Sequence, residues 1–257
     1  MKYPKYEYPE KEIINTMMLV KPPEDGSHVE LKKGPNIKSL PYIEPLMETY
    51  DVPVLLKMGD NISTDEILRA GAEVLPFRSN LPEISKFAFS VIDHSFYDRA
   101  QQAKIDFGGH IVVAKDNYAQ GSSREHAALA PKYLGQVAVI ANSYARIAWQ
   151  NLVNFGILPL EFEDVSDYEK IEQGDVLSLE NLRDDVMNRR PIKVCIQKKE
   201  KGAKPIFIQT KHSLSDRQIQ VLLKGGIINE FKERLRNNEV HAVEENTVTD
   251  NERKQIK

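Results

Sequence analysis

The chain has 257 residues, of which 41% are hydrophobic and 28% are charged, and its formal net charge is -3. This balance is typical of a globular protein with one core, and it argues against a surface for nucleic acid or another polyanion. No apolar run approaches the roughly eighteen residues that a membrane-spanning helix needs. Residues 1–12 lack an apolar signal core and are too acidic for a transit peptide, so we expect a cytoplasmic protein.

The first fifty residues are rich in proline and in charge, and no helical or strand period lasts there. Because such a segment cannot build its own core, residues 1–50 are predicted to be an extended linker or arm. A globular domain is predicted over residues 51–230. The chain beyond that is almost wholly polar, so residues 231–257 are predicted to be a disordered tail.

The globular region alternates predicted strands with predicted helices. The strands cover residues 54–58, 111–114, 137–141 and 157–162, and the helices cover residues 83–90, 94–102, 123–133 and 143–154. Continuous apolar runs in two of these strands indicate burial on both faces. Shorter strands at 176–179, 192–197 and 205–209 precede a last helix at 215–224. Strands and helices in this order require right-handed parallel crossovers, which predicts the α/β class.

The polar segment Lys115–His126 lies between a buried strand and a helix, where open α/β sheets bind ligands. Free N–H groups and the positive end of the helix dipole attract anions, and Arg124 beside Ser122 and Ser123 could bind a carboxylate. Residues Ser122 to Glu125 also fit the S-x-x-E capping box, and spacing alone favours this structural interpretation. Both can hold, with one serine capping the helix and the other facing a ligand.

A second polar cluster, at residues 59–71, follows the first predicted strand. Its spacing favours a strand-to-helix loop with Ser63, Thr64 or Asp65 as the N-cap. Further on, Arg78 is a lone basic residue, and its simplest interpretation is exposure to solvent.

Three segments together resemble the swivel domain of the aconitase superfamily. They are GDNISTDEI with the AG at 70–71, NYAQGSSREHAALAPKYLG at 117–135, and IANSYARIAWQNLVNFGILPLEF at 140–162. The resemblance is strong over residues 54–164, and the lead-in GPNIKSLP at 34–41 resembles the connector of single-chain aconitases. It implies a layered β/β/α domain around a central, partly parallel sheet, preceded by an extended linker arm.

The resemblance also implies roles for individual residues. Ser122 corresponds to the catalytic base that removes a proton from the carbon beside a carboxylate, and Asp65 corresponds to an active-site aspartate. His126 belongs to the motif but does not react. The residues that correspond to substrate-carboxylate contacts are Arg78, Ser123 and Arg124.

The lyases of this family use a [4Fe–4S] cluster held by three cysteines, whereas this chain has only Cys195, which lies in an apolar alternation typical of a buried strand. The resemblance therefore implies half of an aconitate hydratase of the tricarboxylic acid cycle, which isomerises citrate and isocitrate through cis-aconitate. The metal would be held by an N-terminal iron–sulfur core, in the same polypeptide or in a large subunit. No residue here is assigned to the metal, and the chain alone would be inactive.

Two other interpretations stay open. The chain could be the small subunit of a two-chain isopropylmalate or homoaconitate dehydratase, although such subunits usually begin close to the first strand. It could also be a non-catalytic RNA-binding regulator, against which the acidic balance and the absence of basic stripes argue. The sequence does not separate the candidate tricarboxylate and malate substrates.

Overall fold

The structure is a computed structural model, and it describes residues 4–5, 16–200 and 202–236. The chain divides into two units, residues 1–34 and residues 35–257. In the described part of the first unit no helix or strand forms. The second unit begins at Pro35 rather than at residue 51, because Leu46 and Tyr50 already pack into its core.

Four strands of the second unit pair in parallel and three pair antiparallel. The parallel strands are β1 (Tyr50–Lys57), β2 (His110–Val113), β3 (Gln136–Ala141) and β4 (Leu158–Phe162). The others are β5 (Val176–Leu179), β6 (Ile192–Gln197) and β7 (Ile206–Lys211). Together they close into a barrel in the order β1-β2-β3-β4-β7-β6-β5.

This topology confirms a mixed α/β fold with a partly parallel sheet. The layered β/β/α description is not confirmed, because β7, β6 and β5 bridge β4 back to β1 and so close a single barrel. Interior side chains such as Ile111 and Ile140 pack in one core, while Val112 and Val139 pack on the opposite face of the strands, in a second core. Strands β2 and β3 are therefore buried on both faces, as their apolar runs predicted.

The helices of the second unit lie between these strands and after the last of them. They are α1 (Thr64–Ile67), α2 (Leu81–Ile84), α3 (Phe96–Phe107), α4 (His126–Tyr133), α5 (Arg146–Asn154), α6 (Leu182–Met187) and α7 (Asp216–Leu223). The short helix α6 was missed because it is too short to show a period, whereas α1 is the helix expected after the loop at residues 59–71. No helix in the described ranges is long and apolar enough to cross a membrane.

A further helix, α8, covers residues 227–236, so the predicted disordered tail does not begin at residue 231. Ile227 packs against the core, and Phe231 and Leu235 follow it at intervals of four residues, which is a helical spacing. The high share of polar residues in this segment obscured that period. The rest of the predicted tail, residues 237–257, lies outside the described residues.

Candidate active site

Three polar loops follow the carboxyl ends of β1, β2 and β3, which are neighbours in the parallel part of the sheet. The loops span residues 58–63, 114–125 and 142–145. Because parallel strands bring their carboxyl ends to one edge of the sheet, the loops meet there, as α/β ligand sites do. All the site residues predicted from the sequence except Arg78 lie in these loops or in the turn that follows the first of them.

Backbone hydrogen bonds join the first two loops. Asn61 N donates to Asp116 O over 2.7 Å. Gln120 N donates to Ile62 O over 3.0 Å, and Thr64 N donates to Gln120 O over 2.8 Å. These bonds fix the distance between the segment that carries Asp65 and the segment that carries the two serines.

Ser143 joins the third loop to the second. Its carbonyl accepts from Tyr118 N over 3.0 Å, and its hydroxyl accepts from Asn117 N over 2.9 Å. The same hydroxyl donates to Asp116 Oδ1 over 3.1 Å. The second loop is therefore held from both sides, which is the rigidity that a preorganised site requires.

Gly121 ends the joined part of the second loop. Its φ of 112° lies in a region that side-chain-bearing residues rarely adopt, and an added Cβ would lie 3.2 Å from Thr64 Oγ1. The glycine lets the chain turn close against α1. Residues 122–125 then form an irregular segment before α4 begins.

The predicted capping box at Ser122–Glu125 was wrong. Helix α4 begins at His126, and no side chain caps it from the Glu125 position. A capping box is instead present at α1, where Glu66 N donates to Ser63 Oγ over 3.2 Å and Ser63 N donates to the Glu66 carboxylate over 2.7 Å. This confirms Ser63 as a predicted N-cap. Ser122 is exposed and does not act as a cap, which leaves its hydroxyl available to a ligand.

The segment before α4 presents an array of unpaired backbone donors. The N–H groups from Gly121 to His126 donate to no acceptor within the part of the chain that the structure describes. They lie at the amino end of α4, where the helix dipole is positive. Consecutive free N–H groups of this kind bind anions.

Arg124 and Asp65 form an ion pair across the first two loops. Arg124 Nη1 lies 2.6 Å from Asp65 Oδ1 and also donates to Leu68 O over 3.0 Å. The hydrogen bond from Arg124 lowers the pKa of Asp65, so this carboxylate is ionised at neutral pH. Since a guanidinium carries five N–H donors, Arg124 keeps donors for a ligand after making these contacts.

Arg78 is exposed at the end of a 3₁₀ turn, Leu75–Phe77, but it is not isolated. Its carbonyl oxygen lies 2.8 Å from His126 Nε2, which ties this turn to the first residue of α4. Arg78 and Arg124 line the same pocket. His126 therefore holds two parts of the site together.

Ser122 and Arg124 line a second, narrower pocket next to Thr64. Ser123, which lies between them in the chain, is exposed. The structure thus places one predicted base and one predicted carboxylate contact against a common space. It places the other predicted arginine, Arg78, on the pocket that Arg124 shares.

The sequence interpretation missed Arg69. This exposed residue lines the pocket of Arg78 and Arg124, and its positive charge contributes to the lowered pKa of Asp65. No helical period marked it, because α1 ends at Ile67 and the chain is already extended at Leu68. Three guanidinium groups around one pocket suit a ligand with several carboxylates.

The residues present do not fit an iron–sulfur cluster. Within the described ranges no group of three or more His, Cys, Asp or Glu side chains could hold a metal ion. Cys195 is a free residue of β6, as its strand-like alternation predicted. It is half-buried rather than fully buried. A [4Fe–4S] cluster needs several thiolates, and the sequence has one cysteine.

Comparisons with known proteins agree with this architecture. A family model described as the aconitase C-terminal domain matches residues 77–165. The chain is 32% identical to the mitochondrial aconitate hydratase of Gracilaria gracilis, over 82% of this chain and 30% of that protein. It is 36% identical to the mitochondrial homocitrate dehydratase of Saccharomyces cerevisiae, over 80% of this chain and 29% of that protein.

A solved structure is also similar, that of 3-isopropylmalate dehydratase from Methanocaldococcus jannaschii. The match has a TM-score of 0.58 and 27% sequence identity, and it covers 75% of this chain and 99% of that one. By contrast, the chain spans less than a third of the length of the curated relatives that it matches.

The predicted cytoplasmic location was wrong. The aconitate hydratases from G. gracilis and S. cerevisiae that the chain resembles are mitochondrial proteins. The prediction depended on the composition of residues 1–12. Those residues carry no information about a leader, because the relatives extend far beyond the matched region.

Proposed function

Because this chain belongs to the aconitase superfamily, we propose that it supplies the anion-binding and catalytic-base half of a hydro-lyase active site. The proposed reaction isomerises citrate and isocitrate by reversible dehydration through cis-aconitate. The observation that carries the proposal is the loop at Ser122–Arg124. There a serine and a fixed guanidinium line one pocket, in a segment whose backbone N–H groups have no acceptor among the described residues.

In this proposal Ser122 removes the proton from the carbon beside a substrate carboxylate. A serine hydroxyl is a very weak acid, so it can act as a base only where its alkoxide is strongly stabilised. The guanidinium of Arg124 and the unpaired N–H groups before α4 are available for this purpose. Ser123, Arg78 and Arg124 would bind substrate carboxylates.

Asp65 fits a positioning role better than a reacting one. It accepts a hydrogen bond from Arg124 over 2.6 Å, and the lowered pKa of its carboxyl leaves it without a proton to give at neutral pH. Holding one nitrogen of Arg124 fixes the plane of the guanidinium. The remaining donors of Arg124 then meet a substrate carboxylate in one orientation.

The arginines favour a tricarboxylate substrate. Arg69, Arg78 and Arg124 line one pocket, and citrate and isocitrate each carry three carboxylates. The alternative is the small subunit of an isopropylmalate- or homoaconitate-type dehydratase, and the match to nearly the whole M. jannaschii chain favours it. An RNA-binding role has no support in a net charge of -3.

A complete enzyme would need a second component. The [4Fe–4S] cluster of this family supplies, when bound, a Lewis acid for the leaving hydroxyl. Its cysteine ligands would lie on an N-terminal core, either in the same polypeptide or in a large subunit, because this chain has only Cys195. This chain contributes the base and the carboxylate contacts.

We expect the purified chain to show no citrate–isocitrate conversion alone and to restore it when mixed with its iron–sulfur core. The measurement is absorbance of cis-aconitate, with the core alone as the control. Conversion by the chain alone would contradict the division of the site between two components. Conversion of isopropylmalate instead of citrate by the mixture would select the alternative substrate.

A further inference from the structure

A third pocket, of about 250 Å³, lies at the end of the barrel opposite the loops of the candidate site. Gly108 and Gly135 line it, and they precede the amino ends of β2 and β3, whereas the site loops follow the carboxyl ends of the same strands. Strands of this length separate the two places by roughly 13–20 Å, at about 3.3 Å per residue. The pocket is therefore separate from the proposed active site.

The walls of this pocket are mostly apolar. They come from the lead-in segment before β1 and from the barrel and the helices α2 and α4, and they include Ile43, Pro45, Leu81, Leu129 and Val137. The hydroxyl of Tyr50, another wall residue, already accepts a hydrogen bond from Met47 N over 3.0 Å. An apolar ligand chain would bury its surface against these side chains.

Two lysines give the pocket its charge. Lys132 Nζ donates to Gly156 O over 2.7 Å, and Lys104 Nζ donates to Tyr133 O over 2.6 Å. An ammonium carries three N–H donors, so each lysine keeps donors after making its one hydrogen bond within the described residues. Burial lowers the pKa of Lys132 to about 8, and it also lowers the pKa of Lys104.

The positive charges of the two lysines are only partly balanced by acidic side chains in the pocket wall. Glu44, which also lines the pocket, attracts the charge of Lys132 but forms no ion pair with it in the described part of the chain. Two lysines and one carboxylate leave one positive charge beside an apolar space. Lys132 is half-buried and Lys104 is exposed at the rim. A partly desolvated charge that lacks a full partner attracts an opposite charge, so a single anionic group would be bound favourably there.

We propose that this pocket binds a small amphipathic monoanion, with a carboxylate beside Lys104 and Lys132 and a short apolar chain in the cavity. The cavity is smaller than the roughly 300–1,000 Å³ that drug-sized ligands occupy, which limits the apolar part to a short chain or a single ring. This ligand differs from a tricarboxylate in both charge and hydrophobicity. Binding of such a ligand here does not depend on tricarboxylate binding at the proposed active site.

The test is a titration of the purified chain with octanoate, followed by calorimetry and by amide chemical shifts. We expect saturable binding at one site, with shifts confined to residues around the pocket. Octanol, which has the same chain without the charge, should bind at least about tenfold more weakly. Saturable binding of octanoate with equal binding of octanol would overturn the proposal, as would the absence of saturable binding.

A matched pair of variants tests the role of the lysine. Lys132→Met keeps the apolar stem and removes the charge, and it should weaken octanoate binding by about tenfold or more. Lys211→Met, at an exposed position on β7, makes the same change away from the pocket and should have no effect. Equal binding by the two variants would contradict the proposal. If Lys132→Met does not fold, the octanol comparison on the unaltered chain still decides the question.

Discussion

Replacing Ser122 by alanine in the complete enzyme should lower kcat by about a thousandfold or more while changing KM little. The hydroxyl is the proposed base, and the carboxylate contacts of Arg78 and Arg124 remain. The most direct measurement is exchange of the abstracted substrate proton with deuterated solvent, which the variant should fail to catalyse. A rise in KM with unchanged kcat would show that Ser122 only binds substrate.

The stability of the same variant separates this role from capping. Removing an N-cap hydroxyl costs about 0.5–2 kcal/mol, but no side chain caps α4 in this structure. Ser122→Ala should therefore leave the free energy of unfolding unchanged in urea titrations of the isolated chain. Ser63→Ala, which removes the observed cap of α1, is the matched control and should lower it by about 1 kcal/mol.

Replacing Arg124 by glutamine should lower kcat/KM by roughly 100- to 10,000-fold, because the substitution removes both a carboxylate contact and the positive charge beside Ser122. Arg124→Lys should rescue little of this loss. A lysine ammonium lacks the planar fork that can hold Asp65 and a substrate carboxylate together. Steady-state kinetics of both variants in the complete enzyme, compared at equal cluster content, provide the measurement.

Asp65→Asn is the control for this result. The amide keeps the shape of Asp65 and leaves the charge on Arg124, so we expect a loss of only about tenfold in kcat/KM from poorer orientation. A loss as large as that of Arg124→Gln would contradict the positioning role. It would show that the carboxylate of Asp65 takes part in the chemistry itself.

The parallel half of the fold could be predicted from the sequence, whereas the closure of the barrel could not. The apolar runs of β2 and β3 reflect burial on both faces, which is visible locally. Closure depends on the pairing of Glu161 and Phe162 in β4 with Lys211 and Thr210 in β7, about fifty residues later. No local period records such a contact.

The two S-x-x-E segments show why spacing alone misassigned the cap. Ser63–Glu66 and Ser122–Glu125 fit the same pattern, and only the first caps a helix. The difference arises from Gly121, whose positive φ turns the chain against Thr64 and leaves the second segment irregular. Tertiary contacts therefore decide between a cap and a ligand loop.

The identities of the site residues were predicted mainly from the family resemblance, whereas their contacts became known only from the structure. The contact between Asp65 and Arg124 joins residues that are 59 positions apart, and it changes the interpretation of Asp65 from a reacting group to a positioning group. Arg69 was missed because an arginine in a short charged turn has the composition of an ordinary solvated surface. Its place in the site is recognised only from the folded structure, in which Arg69 lines one pocket with Arg78 and Arg124.

The measurement that tests the central claim most directly is an amide-shift titration of the isolated chain with tricarballylate, an unreactive tricarboxylate. Half of a site should bind it weakly, with a Kd on the order of 1 mM. We expect saturable shifts in the N–H groups from Gly121 to His126 and at Arg78, and their loss in Arg124→Gln. Absence of shifts in that segment, or identical shifts in Arg124→Gln, would contradict the assignment of this loop as the tricarboxylate-binding half of the enzyme.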